Sequence, residues 1–504
     1  MNWNDIESFL GDVSGVVWGP FLLIPLLLGT GLYLTIRLGG LQFLKLGAAL
    51  RLGLLKRKDV GAEGDISQFQ ALTTALAATV GTGNIVGVAT AIGIGGPGAL
   101  FWMWVTGLLG MASKYSEAFL GVRFRGTDSA GEKSGGPQYY LERGIRGSLG
   151  KVLGLSFAIF AVIACFGIGN MTQGNAISSN VENSWNVPVW VTGLVLTLLS
   201  MVVLVGGIKS IGRVTARLVP VMIIFYVAGA IYILLANVTQ IPAAFGQIFS
   251  EAFTGTSAIG GFAGSAIIIA VQFGVARGIF SNESGMGSAA IAAAAAQTTH
   301  PVRQGLVSMT QTFIDTIIVV SCTGLVIVTT GVWNQINPDT GEQISAALMT
   351  GEAFTTGLPG EWGHWIVTIG LVLFAFSTIL SWSYYGERNI ERLLGRRAVM
   401  PFRVLFSLVV FVGCTVQLGV VWAFSDVMNG LMALPNLIGL LLLSGLIVRE
   451  TRHYLKHDPK LEASKEEIEV FMKDQQGWEQ WKSGDVIGST HSYGSTKPAG
   501  RVID

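Results

Sequence analysis

Long apolar runs, rather than short alternating or amphipathic stripes, organise this chain. A bilayer core about 30 Å thick needs roughly 20 consecutive apolar helical residues. Measured with that ruler, eleven runs qualify, at 16–36, 72–94, 98–122, 152–178, 188–206, 211–236, 262–296, 304–330, 363–386, 404–424 and 428–448. The polar intervals between them carry a second pattern. Segments 1–15, 95–97, 179–187, 237–261, 331–362 and 425–427 contain no Lys or Arg. The alternate intervals hold Arg51, Lys56, Arg57 and Lys58, then Arg123, Arg125, Lys133, Arg143 and Arg146, then Lys209 and Arg213, and later Arg303, Arg388, Arg392, Arg396, Arg397, Arg449 and Arg452. Because basic residues collect on the cytoplasmic side, the alternation predicts eleven spans with the N-terminus outside and the C-terminus inside. A missed span would invert the alternation downstream, and it does not invert.

Composition agrees. With 51% hydrophobic and 12% charged residues and a mean hydropathy of +0.57, there is too little polar surface to cover a water-soluble globule. The expectation is an all-α polytopic protein, multi-pass in the cell membrane and in contact with the lipid bilayer, with residues 1–448 as the membrane domain and 449–504 as a cytoplasmic tail. Within that tail, 465–481 reads as a short amphipathic helix and 483–504 as a Gly- and Ser-rich run. The net charge of +1 gives no field for nucleic acid. Cys165, Cys322 and Cys414 lie inside apolar runs without a close pair, so no disulfide framework or thiolate metal site is expected. The start of the chain lacks the basic region and cleavage site of a removable signal peptide. The five histidines sit at run ends or in the tail, which argues against haem or zinc, and no phosphate-binding loop is present. An enzyme and an organic cofactor are both unexpected.

Two runs break the rules of a plain lipid-facing helix. The second contains Gly81-Thr82-Gly83-Asn84 near its midpoint. The seventh contains Gly274-Val275-Ala276-Arg277-Gly278 and then Phe280-Ser281-Asn282-Glu283-Ser284-Gly285. Irregular polar backbone at membrane depth is tolerated only where protein buries it or where it lines a cavity. The second run opens a block of five (72–236) and the seventh opens another (262–448), with one extra span (16–36) before both. An odd-numbered block reverses direction, so the two blocks are expected to be inverted repeats with an interrupted first helix in each. That arrangement points to a secondary transporter's midplane site, where half-helix N-termini meet an anionic group and unwound carbonyls meet a cation.

At these residues the chain resembles the alanine or glycine:cation symporter family. The resemblance rests on Phe69 to Ala77 running into Val80 to Ala89, on Gly95 to Ala99, on Arg277-Gly278 followed by Phe280 to Glu283 and Gly287 to Ala289, and on Gly135-Gly136-Pro137-Gln138-Tyr139-Tyr140. It implies the leucine-transporter-type bundle of five plus five inverted helices. It also implies sodium as coupling ion and alanine or glycine as the substrate carried into the cell. The alternatives are a proton-coupled amino-acid permease and, from a different class, an ion channel.

Candidate site residues follow from the breaks and the resemblance. Thr82, Gly83 and Asn84 are expected to meet the substrate carboxylate, and Gln272, Phe273 and Gly274 the ammonium and the side chain. By the fold that the resemblance implies, Phe166 and Asn170 line the same site. For sodium, a hard cation that wants oxygen ligands, the resemblance points to Thr378 and Ser381 with backbone carbonyls of the first break, Gly81 among them, and Trp382 closing the pocket. Arg277, Gly278 and Glu283 flank the second break and are expected to act together as gate or hinge. Asp315, alone in the eighth run, is either a proton site or a structural acceptor. Lys114 and Glu117, three residues apart, read as a structural pair.

Overall fold

The computed structural model describes residues 3–473 apart from 20, 58, 60, 255–262, 337–340, 342, 361, 417 and 418, and the described chain is overwhelmingly helical. Most of the eleven apolar runs fall on helix, but 404–424 divides between Val399–Thr415 and Gly419–Leu442, and the expected loop 425–427 lies inside the latter. Among the described residues six helices are long and apolar enough to cross a membrane, or seven if the pair Gln68–Thr79 and Gly83–Gly95, bent by 53°, counts as one. Leu23–Arg37 and Val189–Val205 are apolar but shorter. The exposed large side chains, such as Ile36, Val202, Leu235 and Leu405, are the apolar ones a lipid-facing surface requires.

Among the helices in segments that the hydropathy pattern left as loops, three are longer than ten residues. Trp3–Val17 packs on Gly419–Leu442, Ile241–Thr254 on Gly98–Arg123, and Ala346–Gly357 on Trp362–Leu394. Each is 12–15 residues long, too short for the span criterion, and draws its stability from the helix it covers.

Gly98–Arg123 is the central post, flanked by Ala263–Asn282 and Pro301–Thr312. Small residues let these helices approach closely, as van der Waals packing in lipid favours. A Cβ on Gly107 would stand 2.8 Å from Thr316, one on Gly110 2.6 Å from Ser284, and one on Gly121 2.6 Å from the Ala290 carbonyl. At one end of the bundle the chain after Leu442 folds back as Ser444–His457 and Lys465–Met472. There Arg303 pairs with Asp59 and Asp458, each at 3.0 Å, and donates to the Tyr454 hydroxyl at 2.7 Å. The remainder of the expected tail helix and the Gly- and Ser-rich run, 474–504, lie outside the described residues.

Candidate functional site

The first break is built from backbone and neutral side chains. Ser67 and Gln70 form a reciprocal cap that starts the helix Gln68–Thr79. That helix ends at Val80, whose ψ of 85° turns the chain out of line. Asn84 then closes a small loop on itself, its Oδ1 accepting from the Gly81 amide at 3.0 Å and its own amide donating to the Gly81 carbonyl at 3.2 Å. A π-helical turn, Gly83–Gly87, follows, and its Ile85 carbonyl accepts both from the Val88 amide and from the Thr350 hydroxyl at 3.0 Å. Two glycines are required here by close approach: a Cβ on Gly81 would fall 2.6 Å from Thr378 Oγ1, and one on Gly83 3.0 Å from the Ser281 Cα.

The second break falls at the far end of the run that the sequence pattern marked, in its polar part and not at its first glycines. The helix Ala263–Asn282 runs unbroken through Gly274 and Gly278. A Cβ on Gly274 would stand 2.5 Å from the Ala99 carbonyl, and one on Gly278 2.5 Å from Thr106 Oγ1. These glycines, four apart, form a seam against Gly98–Arg123, so the expectations that Gly274 lines the substrate and that Gly278 acts as a hinge are corrected. Chain direction changes at Glu283 (φ 55°), Gly285 (φ 91°) and Gly287 (φ 82°) before the short helix Ser288–Ala294. Gln272 and Phe273 are half-buried and stand about three turns before this break.

Ions hold the second break. Lys114 donates to the Glu283 carbonyl at 2.9 Å, where one helix ends, and Glu117 accepts from the Gly287 amide at 2.9 Å, where the next begins. Cation at a C-terminus and anion at an N-terminus is the favourable sense of the helix dipole. The Glu283 carboxylate accepts from Trp382 Nε1 at 2.8 Å and from the Ser288 hydroxyl at 2.5 Å. Arg277 does not join it. Its partner is Asp426 at 3.3 Å, with side chains about one-fifth exposed, so the expected Arg277–Glu283 unit divides into two separate contacts. Phe280, one turn along from Arg277, stacks on Trp422.

Beside the first break, Thr378 Oγ1 donates to the Ala77 carbonyl at 2.9 Å and Ser377 to the same oxygen at 3.3 Å. Ser381 Oγ, one turn on, is buried without a hydrogen-bond partner, and so is Thr82 Oγ1. Buried polar atoms are rarely left unpaired, and these two lie in and beside the first break. The carbonyl that Thr378 reaches is that of Ala77; Gly81 contributes by letting Thr378 come close. Trp382 lies over Gly169, where any Cβ would collide with its ring. Asn170 donates to the Phe406 carbonyl at 2.7 Å and Phe166 packs on Phe402 and Phe406. Phe166, expected on the substrate side, thus has the rings of Val399–Thr415 as its aromatic neighbours.

Three contributors were not singled out from the sequence. Gln173, buried, presents Oε1 to the Thr82 amide at 3.4 Å while its Nε2 donates to the Ile168 carbonyl at 2.9 Å. Its signal was the spacing of three from Asn170. Phe280 and Ser281 touch Gly83 directly, and they stood in the polar run that marked the break.

Two discontinuous membrane helices meeting at buried polar backbone, inside a multi-pass helical bundle, define a membrane transport protein. The family model of the sodium:alanine symporter family matches residues 3–469, and the chain belongs to that family. It is 51% identical over 451 residues to the sodium/alanine symporter AgcS of Methanococcus maripaludis, covering 89% of this chain and 97% of that protein. It is 33% identical over 491 residues to the probable sodium/glutamine symporter GlnT of Bacillus subtilis, covering 97% and 98%. Among solved structures, MhsT in complex with L-phenylalanine superposes with a TM-score of 0.52 at 16% identity, covering 78% of this chain and all of that one. That likeness is one of fold and places the chain among leucine-transporter-type architectures.

Proposed function

We propose that this protein carries a small neutral amino acid, alanine or glycine, into the cell by sodium-coupled alternating access. The topology that goes with this reading has eleven spans, N-terminus outside and C-terminus inside: one extra span, then two inverted blocks of five at 72–236 and 262–448. The observation that carries the proposal is the meeting of the two breaks, with Gly83 against Phe280 and Ser281 and the orphaned Thr82 hydroxyl beside them. Backbone amides after Val80, with Thr82 and Asn84, suit a carboxylate. Gln173, Ser281 and the aromatic rings of Phe280 and Trp382 suit the remainder of a small zwitterion. A pocket walled by backbone rejects bulk sterically, and excluding one methylene is worth about 1–3 kcal/mol. Sodium fits the oxygen set of Ala77, Thr378 and Ser381, since hard cations take carbonyl and hydroxyl oxygens. AgcS supports alanine, whereas GlnT, named for glutamine, is the reason to measure substrate directly.

The test is uptake of labelled alanine and glycine into proteoliposomes under imposed sodium, potassium or proton gradients. Sodium alone should drive accumulation, and Thr378→Ala or Ser381→Ala should raise the half-saturating sodium concentration. Because coupling between sites is reciprocal, alanine affinity should fall at low sodium and recover at saturating sodium. Accumulation driven by protons alone would replace this reading with the proton-coupled permease. Absence of counterflow exchange would favour a channel.

A further inference from the structure

Two residues past Leu442, where the last apolar helix ends, the helix Ser444–His457 begins, and its two faces carry opposite chemistry. Ile447, Glu450, Thr451 and Tyr454 are buried against the bundle. Glu450, the one acid in this helix, lies on that inner face and pairs with Arg123 at 3.1 Å, while the Thr451 and Tyr454 hydroxyls meet Tyr115 and Arg303. The outer face holds Arg449, Arg452 and Lys456, all exposed. Spacings of three and four line them up along one side. Among the described residues none of the three forms an ion pair.

Contacts fix the level at which this basic face stands. Arg452 donates to the Arg37 carbonyl at 3.0 Å, and Arg37 is the last residue of the apolar helix Leu23–Arg37. Across the same junction the Tyr33 and Ser444 hydroxyls share a hydrogen bond at 3.3 Å, and the Arg37 guanidinium lies over the Tyr33 ring. Leu32, Ile36 and Leu442 beside them are 49%, 69% and 43% exposed, a surface that suits hydrocarbon. The row of cations therefore begins where the apolar belt ends. Basic residues are expected at a cytoplasmic membrane boundary, but that rule does not explain an acid turned inward while three cations share the outer face. Like charges along one helix face repel, and an anion that meets all of them removes the cost.

We propose that Arg449, Arg452 and Lys456, with Arg37, form a binding surface for the phosphate headgroups of anionic phospholipids, at the end of the bundle that the Lys and Arg pattern assigns to the cytoplasm. Acyl chains lie along Leu32, Ile36 and Leu442 while the phosphates accept from the guanidiniums and the ammonium, the geometry in which arginine binds phosphate well. The lipid holds the returning helix from outside, as Arg123 and Arg303 hold it from inside. This surface goes beyond the transport reading and does not depend on it.

The experiment measures, by native mass spectrometry, the lipid retained by the purified full-length protein from detergent micelles holding equal amounts of phosphatidylglycerol and phosphatidylcholine. The native protein should retain phosphatidylglycerol in preference. Arg449→Gln and Lys456→Gln leave the Arg452–Arg37 contact and the buried face intact, and each should lower the preference by about fivefold. Lys209→Gln, which removes an exposed cation in the first turn of Gly207–Ala236, should change nothing. Added chloride should weaken the preference by screening, and inorganic phosphate should compete no better than chloride at the same ionic strength. Equal retention of both lipids by the native protein, an undiminished preference when Arg449 and Lys456 are replaced together, or the same loss from Lys209→Gln overturns the surface. Displacement by inorganic phosphate where chloride has no effect makes the ligand a soluble anion and overturns the lipid assignment. Uptake does not enter this measurement, so failure of sodium to drive transport sinks the transport reading and leaves the lipid result standing.

Discussion

The two helix breaks do the same geometric work with opposite chemistry. The first is held mainly by neutral groups: Asn84 caps Gly81, Gln173 meets the Thr82 amide, and Thr378 meets Ala77, with the Asp315 carboxylate accepting from Asn84 Nδ2 at 2.8 Å. The second is held by ions, with Lys114 on the ending helix, Glu117 on the starting one, and Glu283 tied to Trp382 and Ser288. Neutral contacts form and dissolve at a net cost of about 1 kcal/mol each. Breaking one partner of a buried ion pair costs several times more. The first break is therefore the easier one to rearrange around a ligand, and the second is the firmer support.

That contrast fails first where its effect is largest. Lys114→Met removes the cation that faces Glu117 and Glu283 and strands buried negative charge, at about 3–5 kcal/mol. The expected outcome is a large drop in thermal unfolding temperature in detergent and loss of uptake for every substrate. Asn84→Ala, at the first break, should leave the unfolding temperature within a few degrees while still reducing transport. Equal destabilisation by the two would erase the distinction between a firm break and a soft one.

The next effect separates a glycine at the pocket from a glycine in a seam. A methyl on Gly83 meets Phe280 and Ser281, whereas one on Gly274 meets the Ala99 carbonyl at 2.5 Å and Trp102. Overpacking costs about 1–3 kcal/mol in either place, but its consequence differs. Gly83→Ala should depress alanine uptake more than glycine uptake in a folded protein. Gly274→Ala should lower yield and unfolding temperature and reduce both substrates alike. A selective loss of alanine from Gly274→Ala would return that residue to the pocket.

The same pair shows how far the sequence could be read. Gly81-Thr82-Gly83-Asn84 was legible because glycine on both sides of a hydroxyl and an amide has no use in a lipid-facing helix. Gly274 and Gly278 misled because a glycine spaced by four serves a helix seam as readily as a break. The real turn uses Glu283, Gly285 and Gly287, where positive φ is needed, and hydropathy carries no record of φ. Gln173 was missed because its importance depends on a contact across 91 positions in the chain. Phe166 and Asn170 were legible only as a pair, because one helical turn fixes a shared face but not which neighbour that face meets. The helices 3–17, 241–254 and 346–357 escaped because their apolar faces are short and find cover only after the bundle forms.

The smallest effect sets the Lys114–Glu117 pair against a pair that fastens the end of the bundle. Arg303 holds Asp458, which also accepts from the Tyr454 hydroxyl at 2.8 Å and the Glu462 amide at 2.8 Å, and so fastens the returning segment Ser444–Met472. Burial alone would raise the Asp458 carboxyl, but the Glu462 amide, Arg303 and Tyr454 together outweigh it and hold the group below the usual carboxylate range. A carboxyl depressed in the docked state adds stability that is complete above its free value, about 3.9, and is lost as pH falls through the depressed value. Docking of this segment should therefore stay constant from neutral pH down to about 4 and weaken below it. Asp458→Asn removes the charge at every pH. Near neutrality it should lower hydrogen-exchange protection of residues 444–472 by at least several-fold, and it should flatten the acid dependence. If the native chain and Asp458→Asn instead lose protection in parallel as pH falls, another carboxyl fastens the segment, and Asp59 on the same guanidinium is the next to replace.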